Sequence, residues 1–527
     1  MRYIQLLALF LVALGTSLLA QSNASLFAPA VTYGTGGSNA SSVAVADVNG
    51  DGNVDVVVAN NYGDTVGVLF GNVDGTFEPV LTYGAGGSAP ESVAVADVNG
   101  DRKPDLLVAN FCLSRTSCAS GGLGILLNNG NGAFQAPATY SSGIVGTPYS
   151  ITVADVNEDG KPDLLVGNGM SGLVSVVLGN GDGSFQSAVL YASGGDYADS
   201  VAVADVNEDG KPDLLVVNAL SKNDLIGRVG VLLGNGDGTL QSVVGYPTGG
   251  SSSRSVAVKD VNGDGKLDLV VANQCPDYYE CGYSDGSVAV LIGNGDGTFQ
   301  SAVSYGSGGT NSLSVAVDDL NADGKPDIVV ANGCARTSNF SSCNYGLPGG
   351  LGVLLNKGDG TFHTAVTHLS GASSAWSVAV ADVNGDRKPD LLVANFCSIG
   401  DTCFDSTING TVGVLLNLGA SPYKAFVQRP INSDGSSTFK ANRGVIPVKF
   451  TLTENNAPTC TLPAATISVT RTVGGTPGLV DVAKFRVSDC QYIYNLPVNK
   501  ANLGAAVYSV DIKINGSVVG NAVFALK

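Results

Sequence analysis

Ser42–Asn60 reads SVAVADVNGDGNVDVVVAN. Small residues alternate with Val over its first five positions, as in a strand whose two faces meet different surroundings. A nine-residue frame, D-x-N-x-D-x-x-x-D, then runs from Asp47 to Asp55, and the segment ends on a nearly continuous apolar strand. Such a strand suits a sheet covered on both faces. The frame recurs seven times, starting at Asp47, Asp97, Asp155, Asp205, Asp260, Asp319 and Asp382. Its spacing of 50 to 63 residues is that of a propeller blade or a similar supersecondary unit.

Each unit reads as four strands. An alternating strand precedes the frame, an apolar strand follows it, and a GVLL-like strand leads through a turn such as Gly293–Phe299 (GNGDGTF) into the last. The N-G-D-G turns suit tight hairpins, whose Asn, Asp and Gly accept positive φ. The fourth strand ends in a Tyr six residues after the turn's Phe. The seventh unit has only three strands, ending near Asn417, while an orphan Phe27–Tyr33 with the same Phe-to-Tyr spacing precedes the first. The expectation is an all-β, seven-bladed propeller over 26–417 whose N-terminal strand closes the seventh blade and removes an open sheet edge. An open solenoid would have no use for a matched half-repeat at each end. Residues 418–424 read as a linker and 425–527, with longer alternating strands, as a small β-sandwich.

Composition narrows the function. The chain of 527 residues carries a formal charge of −18 and no Lys/Arg cluster, which argues against nucleic acid and anionic membrane surfaces as partners. Only two His occur, His363 and His368, which disfavours a His-ligated zinc site or a His-based triad. Residues 1–20 combine Arg2, an apolar run and small residues up to Ala20, as in a cleaved export signal; an N-terminal membrane anchor is the alternative. Ten Cys agree with export and fall into pairs expected to be disulfides: Cys112/Cys118, Cys275/Cys281, Cys334/Cys343, Cys397/Cys403 and Cys460/Cys490.

The frame has the chemistry of calcium, a hard ion that takes six to eight oxygens. Positions 1, 3, 5 and 9 offer side-chain oxygens and position 7 a main-chain carbonyl. The sets are Asp47, Asn49, Asp51, Asn53 and Asp55; Asp97, Asn99, Asp101, Lys103 and Asp105; Asp155, Asn157, Asp159, Lys161 and Asp163; Asp205, Asn207, Asp209, Lys211 and Asp213; Asp260, Asn262, Asp264, Lys266 and Asp268; Asp319, Asn321, Asp323, Lys325 and Asp327; and Asp382, Asn384, Asp386, Lys388 and Asp390. Gly at position 6 allows the chain to coil around an ion, but Arg102 and Arg387 stand there in two copies, which predicts some strain. An Asx-rich turn that binds nothing is the competing reading. Three carboxylates in each of seven loops favour about seven structural Ca2+.

These stretches, SVAVADVNGDGNVDVVVAN and SVAVADVNEDGKPDLLVVN (Ser200–Asn218) above all, resemble the FG-GAP/VCBS repeat family, related to the propeller of integrin alpha subunits. The resemblance implies a seven-bladed propeller with Ca2+ in the loops between first and second strands, on the face opposite the usual ligand face. Pro447–Phe450 (PVKF) resembles a PxKF-type, Ig-like domain found at the ends of bacterial secreted repeat proteins.

One position varies while its neighbours barely change. Six residues before each frame stand Ser41, Glu91, Tyr149, Asp199, Arg254, Leu313 and Trp376, expected at the mouth of the central channel. Tyr278, Tyr279 and Tyr283 add aromatic area in the fifth unit's loop. This mixture reads as a recognition surface, with simple drift of exposed loop positions as the alternative. The Asn five residues after each frame (Asn60 to Asn395) read as closing the following loop, and the outer-strand Tyr set as packing between blades. The functional expectation is a secreted or cell-surface, non-catalytic binding or adhesion protein with an extracellular protein or glycan ligand, monomeric and without membrane insertion. A carbohydrate-binding lectin and a propeller-type polysaccharide lyase are the alternatives.

Overall fold

The computed structural model describes residues 26–419, apart from 117, 119, 144–146, 222–224, 277–284, 336–346 and 399–408, and the strands beyond. The leader at 1–20 and the tyrosines Tyr278, Tyr279 and Tyr283 lie outside the described residues. The chain divides into two compact units, one spanning Phe27–Gly419 and one built on Ala420–Lys527. Among the described residues no helix is long and apolar enough to cross a membrane.

In the first unit the strand pairings form successive four-stranded antiparallel groups. The first comprises Ala40–Ala46, Asp55–Asn60, Thr65–Leu69 and Leu81–Gly84. Three more follow with the same order. The last three share a ten-stranded hydrogen-bonded sheet, because Val303–Asp318 and Val366–Ala381 run unbroken from the outer strand of one group into the inner strand of the next. The group carrying the seventh frame is completed by the N-terminal strand Val31–Ser38, which pairs with Asn409–Leu415 in the register Val31↔Val414. Phe27 bridges Asn417, as Phe77 bridges Gly71 and Phe134 bridges Asn128 within single groups.

The core lies between the groups. Every residue of Asp55–Asn60 is buried, and alternate side chains serve opposite neighbours. Val56 and Val58 pack with Leu392 and Val414 of the seventh-frame group, whereas Val57 and Ala59 pack with Leu106 and Val108 of the second. This explains an apolar strand without alternation: both faces are interior, and each Val or Leu withdrawn from water contributes about 1.5–3 kcal/mol. At the rim the outer-strand Tyr meets the turn Phe of the next group edge to face, except that Tyr191 packs in one cluster with Leu240, which stands in the Phe's place. Examples are Tyr33 on Phe77 and Tyr83 on Phe134, each with centroids 5.3 Å apart, and His368 takes the same place on Phe27 at 5.4 Å. Such pairs add about 0.5–1.5 kcal/mol beyond burial.

The conserved-spacing Asn side chains act differently from the expectation. Asn110 Nδ2 donates to Ala85 O at 3.0 Å, Asn218 Nδ2 to Ser193 O at 2.8 Å and Asn395 Nδ2 to Ser370 O at 3.2 Å. They clamp the connection arriving from the preceding outer strand. Asn60 and Asn168 add a bond across their own following loops, to Thr65 Oγ1 and Ser175 Oγ.

The second unit holds two five-stranded sheets. Its first strand, Tyr423–Gln428, begins inside the stretch read as linker. Val448, Phe450, Tyr492 and Ile512 are buried, with the rings of Phe450 and Tyr492 stacked at 5.3 Å. Cys460 and Cys490 lie outside the described residues.

Candidate functional site: an axial cavity

At the start of every inner strand the pairing register slips by one residue: between Ala40 and Ser42, Pro90 and Ser92, Pro148 and Ser150, Ala198 and Ser200, Ser253 and Ser255, Ser312 and Ser314, and Ala375 and Ser377. The skipped residues are Ser41, Glu91, Tyr149, Asp199, Arg254, Leu313 and Trp376. A regular strand would turn consecutive side chains to opposite faces, but a bulge re-aims one of them. Each variable residue and the Ser after it consequently face the same space. All seven, the seven serines, Gln274 and Asn311 line one cavity of about 390 Å³. Left-handed backbone two residues earlier helps set the bulge, at Asn39, Ala89, Ser252, Asn311 and Ser374.

The serines lock the inner strands together. Ser42 Oγ accepts from Val93 N, Ser92 Oγ from Ile151 N, Ser150 Oγ from Val201 N, and Ser377 Oγ from Val43 N, at 3.3–3.4 Å. The last of these ties the seventh-frame group back to the first.

The cavity wall is polar on one side. Arg254 Nη1 donates to Asp199 Oδ2 at 2.7 Å, while its Nε and Nη2 donate to Gln274 Oε1 at 3.1 and 2.9 Å. Gln274 Nε2 in turn donates to Asn311 Oδ1. Burial nevertheless outweighs the guanidinium and pushes the Asp199 carboxyl up to about 6. Glu91 accepts from Asn61 Nδ2 at 2.8 Å, and burial, reinforced by the charge of Asp199, pushes it up to about 7. The Tyr149 phenol is raised by burial and by the carboxylates of Glu91 and Asp199. The other side is apolar, with Leu313 and Trp376. Trp376 stacks on Phe396 with centroids 4.7 Å apart, and Phe111 meets Tyr149 edge-on at 6.1 Å.

Sequence reasoning missed this supporting ring. Asn61, Phe111, Gly169, Gln274 and Phe396 each directly follow one of the repeated Asn residues, and their variation after an otherwise uniform strand was the available signal. Gly169 is matched to its partner: a Cβ there would lie 2.3 Å from Tyr149 Cδ2.

The acidic frames occupy the opposite ends of the inner strands. In the first, Asp47 Oδ1 accepts from Gly50 N at 2.7 Å and Oδ2 from Gly52 N at 2.8 Å; Asn49 Oδ1 accepts from Asp51 N, and Asp51 Oδ1 from Asn53 N. Arg102 and Arg387 adopt the left-handed backbone of that sixth position (φ 66° and 63°), and Glu158, Glu208 and Ala322 adopt one at the fourth, where no Gly stands to mark it. The ninth-position Asp is fully buried; Asp55 Oδ2 accepts from Val48 N at 2.9 Å and Oδ1 from Gly71 N at 2.8 Å. Burial pushes Asp55, Asp105 and Asp390 up to about 6 and Asp327 to about 7, with the frame's own carboxylates adding to the shift, and Asp163, Asp213 and Asp268 are raised for the same reasons.

Among the described residues no three His, Cys, Asp or Glu side chains already close on one point. The donor set nevertheless fits a hard cation: all its members are oxygens, the loop coils, and in the sixth frame the buried Asn321 Oδ1 has no hydrogen-bond partner. Lys103, Lys161 and Lys388 reach only the outer oxygen of Asp101, Asp159 and Asp386, at 3.4, 3.4 and 3.0 Å.

Cys112 and Cys118 form a disulfide, and Cys275, Cys334 and Cys397 are also disulfide-bonded. Cys281, Cys343 and Cys403 lie outside the described residues.

Four-stranded groups packed face to face around small-residue inner strands define a β-propeller-type repeat protein. The chain belongs to the FG-GAP repeat family: the FG-GAP-like repeat matches 47–108, 112–166, 157–216, 217–271, 273–330 and 341–393, and the FG-GAP repeat matches 252–291. No curated protein matches the chain. Among solved structures, it is similar to an Agrocybe aegerita lectin described as recognising non-reducing terminal N-acetylglucosamine (22% identity, 63% of this chain and 80% of that one, TM-score 0.40). It is also similar to BBS1N in complex with ARL6DN (14%, 75% and 97%, 0.43) and to the V. cholerae biofilm matrix protein Bap1 (13%, 72% and 77%, 0.37).

Proposed function

We propose that this chain is a secreted or cell-surface, non-catalytic binding protein: a closed, seven-bladed, calcium-stiffened propeller that offers its axial cavity to an extracellular protein or glycan. One observation carries the reading. Seven bulges bring the variable residue of every repeat to one cavity, over serines that do not vary. A scaffold whose inner strands repeat almost unchanged but differ at the position where side chains converge is organised for recognition.

Calcium would be held by the first, third, fifth and ninth side chains of each frame and the seventh carbonyl. It would neutralise carboxylates that otherwise repel one another within each loop. The frames sit at one end of the inner strands and the cavity at the other, so stiffening the loops steadies the strands that carry the recognition residues. The test is retention of extracellular proteins and glycans on the calcium-loaded protein, compared with a Glu91→Gln/Trp376→Ala variant. The reading expects a ligand whose retention falls at least tenfold in the variant; retention equal in both overturns the axial assignment.

A further inference from the structure

The cavity is polarised in a way that selects charge. Arg254 directs three of its five N–H groups to Asp199 and Gln274, and its positive charge is paired with the Asp199 carboxylate. Glu91 has no such cationic partner in hydrogen-bond contact: its Oε1 accepts from the neutral amide of Asn61. Trp376 stands two blades away around the ring, separated from Glu91 by Ser41 alone. Ser41 is buried, and its hydroxyl turns to the main chain, donating to Pro90 O at 2.8 Å. A small residue between a carboxylate and an indole leaves room for a guest between them; the indole is braced from behind by Phe396, which stacks on it.

Resting on the binding reading above, we propose that this slot takes an alkylammonium group, the lysine side chain of an extracellular partner protein. A cation there would draw the Glu91 carboxyl to its ionised form and gain that charge and the quadrupole of the indole together, whereas a neutral group offers neither. A lysine stem also suits the apolar side formed by Leu313 and Trp376. A sugar gains less there, because its hydroxyls bring no positive charge to set against Glu91.

Trp376 is the single Trp of the chain, so its fluorescence reports the slot directly. The experiment titrates the calcium-loaded full chain with n-butylammonium, n-butanol and glucosamine, by Trp emission and by calorimetry. The proposal expects saturable binding of n-butylammonium, none of n-butanol, at least tenfold weakening in Glu91→Gln and about threefold in Trp376→Phe. Glu91→Gln keeps the acceptor for Asn61, and a far-ultraviolet spectrum confirms that it folds. Equal binding of n-butanol, an unaffected Glu91→Gln, or silence toward n-butylammonium overturns the proposal. Binding of glucosamine without n-butylammonium overturns the lysine assignment and leaves the axial face standing as a glycan site.

Discussion

Arg254 Nη1 and Asp199 Oδ2 lie 2.7 Å apart, joining the inner strands of neighbouring blades across the mouth of the axial cavity. The Asp199 side chain is 5% exposed and that of Arg254 is 34% exposed, so the pair is shielded on one side and wet on the other. Truncation of the arginine would leave a buried carboxylate without its partner. Arg254→Met is expected to cost about 1–2 kcal/mol, discounted for the solvent at the guanidinium. Asp199→Asn should recover much of that loss in the double variant. Denaturant unfolding of the four proteins checks it, and strictly additive effects would contradict the coupling.

Glu91 gives a pH dependence of definite sign. Its carboxyl sits at about 7 in the folded chain, above its ordinary value, with Asn61, Asp199, Arg254 and Tyr149 as its polar and charged surroundings. The folded state therefore holds its proton longer than the unfolded one, and this group's contribution is lost as pH rises from about 4.5 to about 7. Glu91→Gln removes the titration. The variant should match the parent near pH 4.5 and exceed it by up to about 3 kcal/mol at pH 8, measured with calcium saturating.

Phe27 reaches across the whole repeat region to bridge Asn417 and meet His368. It is 1% exposed. Phe27→Ala should cost about 3–5 kcal/mol through the cavity it leaves. It should also raise aggregation by loosening the strand that covers an open edge. Light scattering during thermal unfolding reads both effects.

Gly169→Ala tests the supporting ring. The added methyl has no room beside Tyr149 and must displace it. A loss of about 1–3 kcal/mol is expected, with a changed Trp376 emission response to n-butylammonium. Ala at Gly50, where nothing approaches within 4 Å, should leave that response unchanged.

The repeat, the strand types and the seven variable positions were all legible in the sequence because each depends on spacing along one chain. The bulges were not. Alternation within Ser251–Lys259 says nothing of the partner strand, and only pairing with Asp268–Cys275 shows that Arg254 is skipped and shares a face with Ser255. The Asn clamps were read toward their own loops for a similar reason: the acceptor of Asn110, Ala85 O, comes from the preceding blade. Glu158, Glu208 and Ala322 hid a left-handed backbone that Gly marks openly in the other four copies.

The central claim is that the seven frames hold calcium and that the propeller depends on it. Thermal unfolding in excess Ca2+ and in excess chelator, with the bound metal counted by atomic absorption, tests this most directly. At ten times the dissociation constant each ion contributes about 1.4 kcal/mol. The account therefore predicts close to seven Ca2+ per chain and a midpoint about 10 °C lower after chelation. A chain that binds no Ca2+ and melts at the same temperature in both buffers would contradict it.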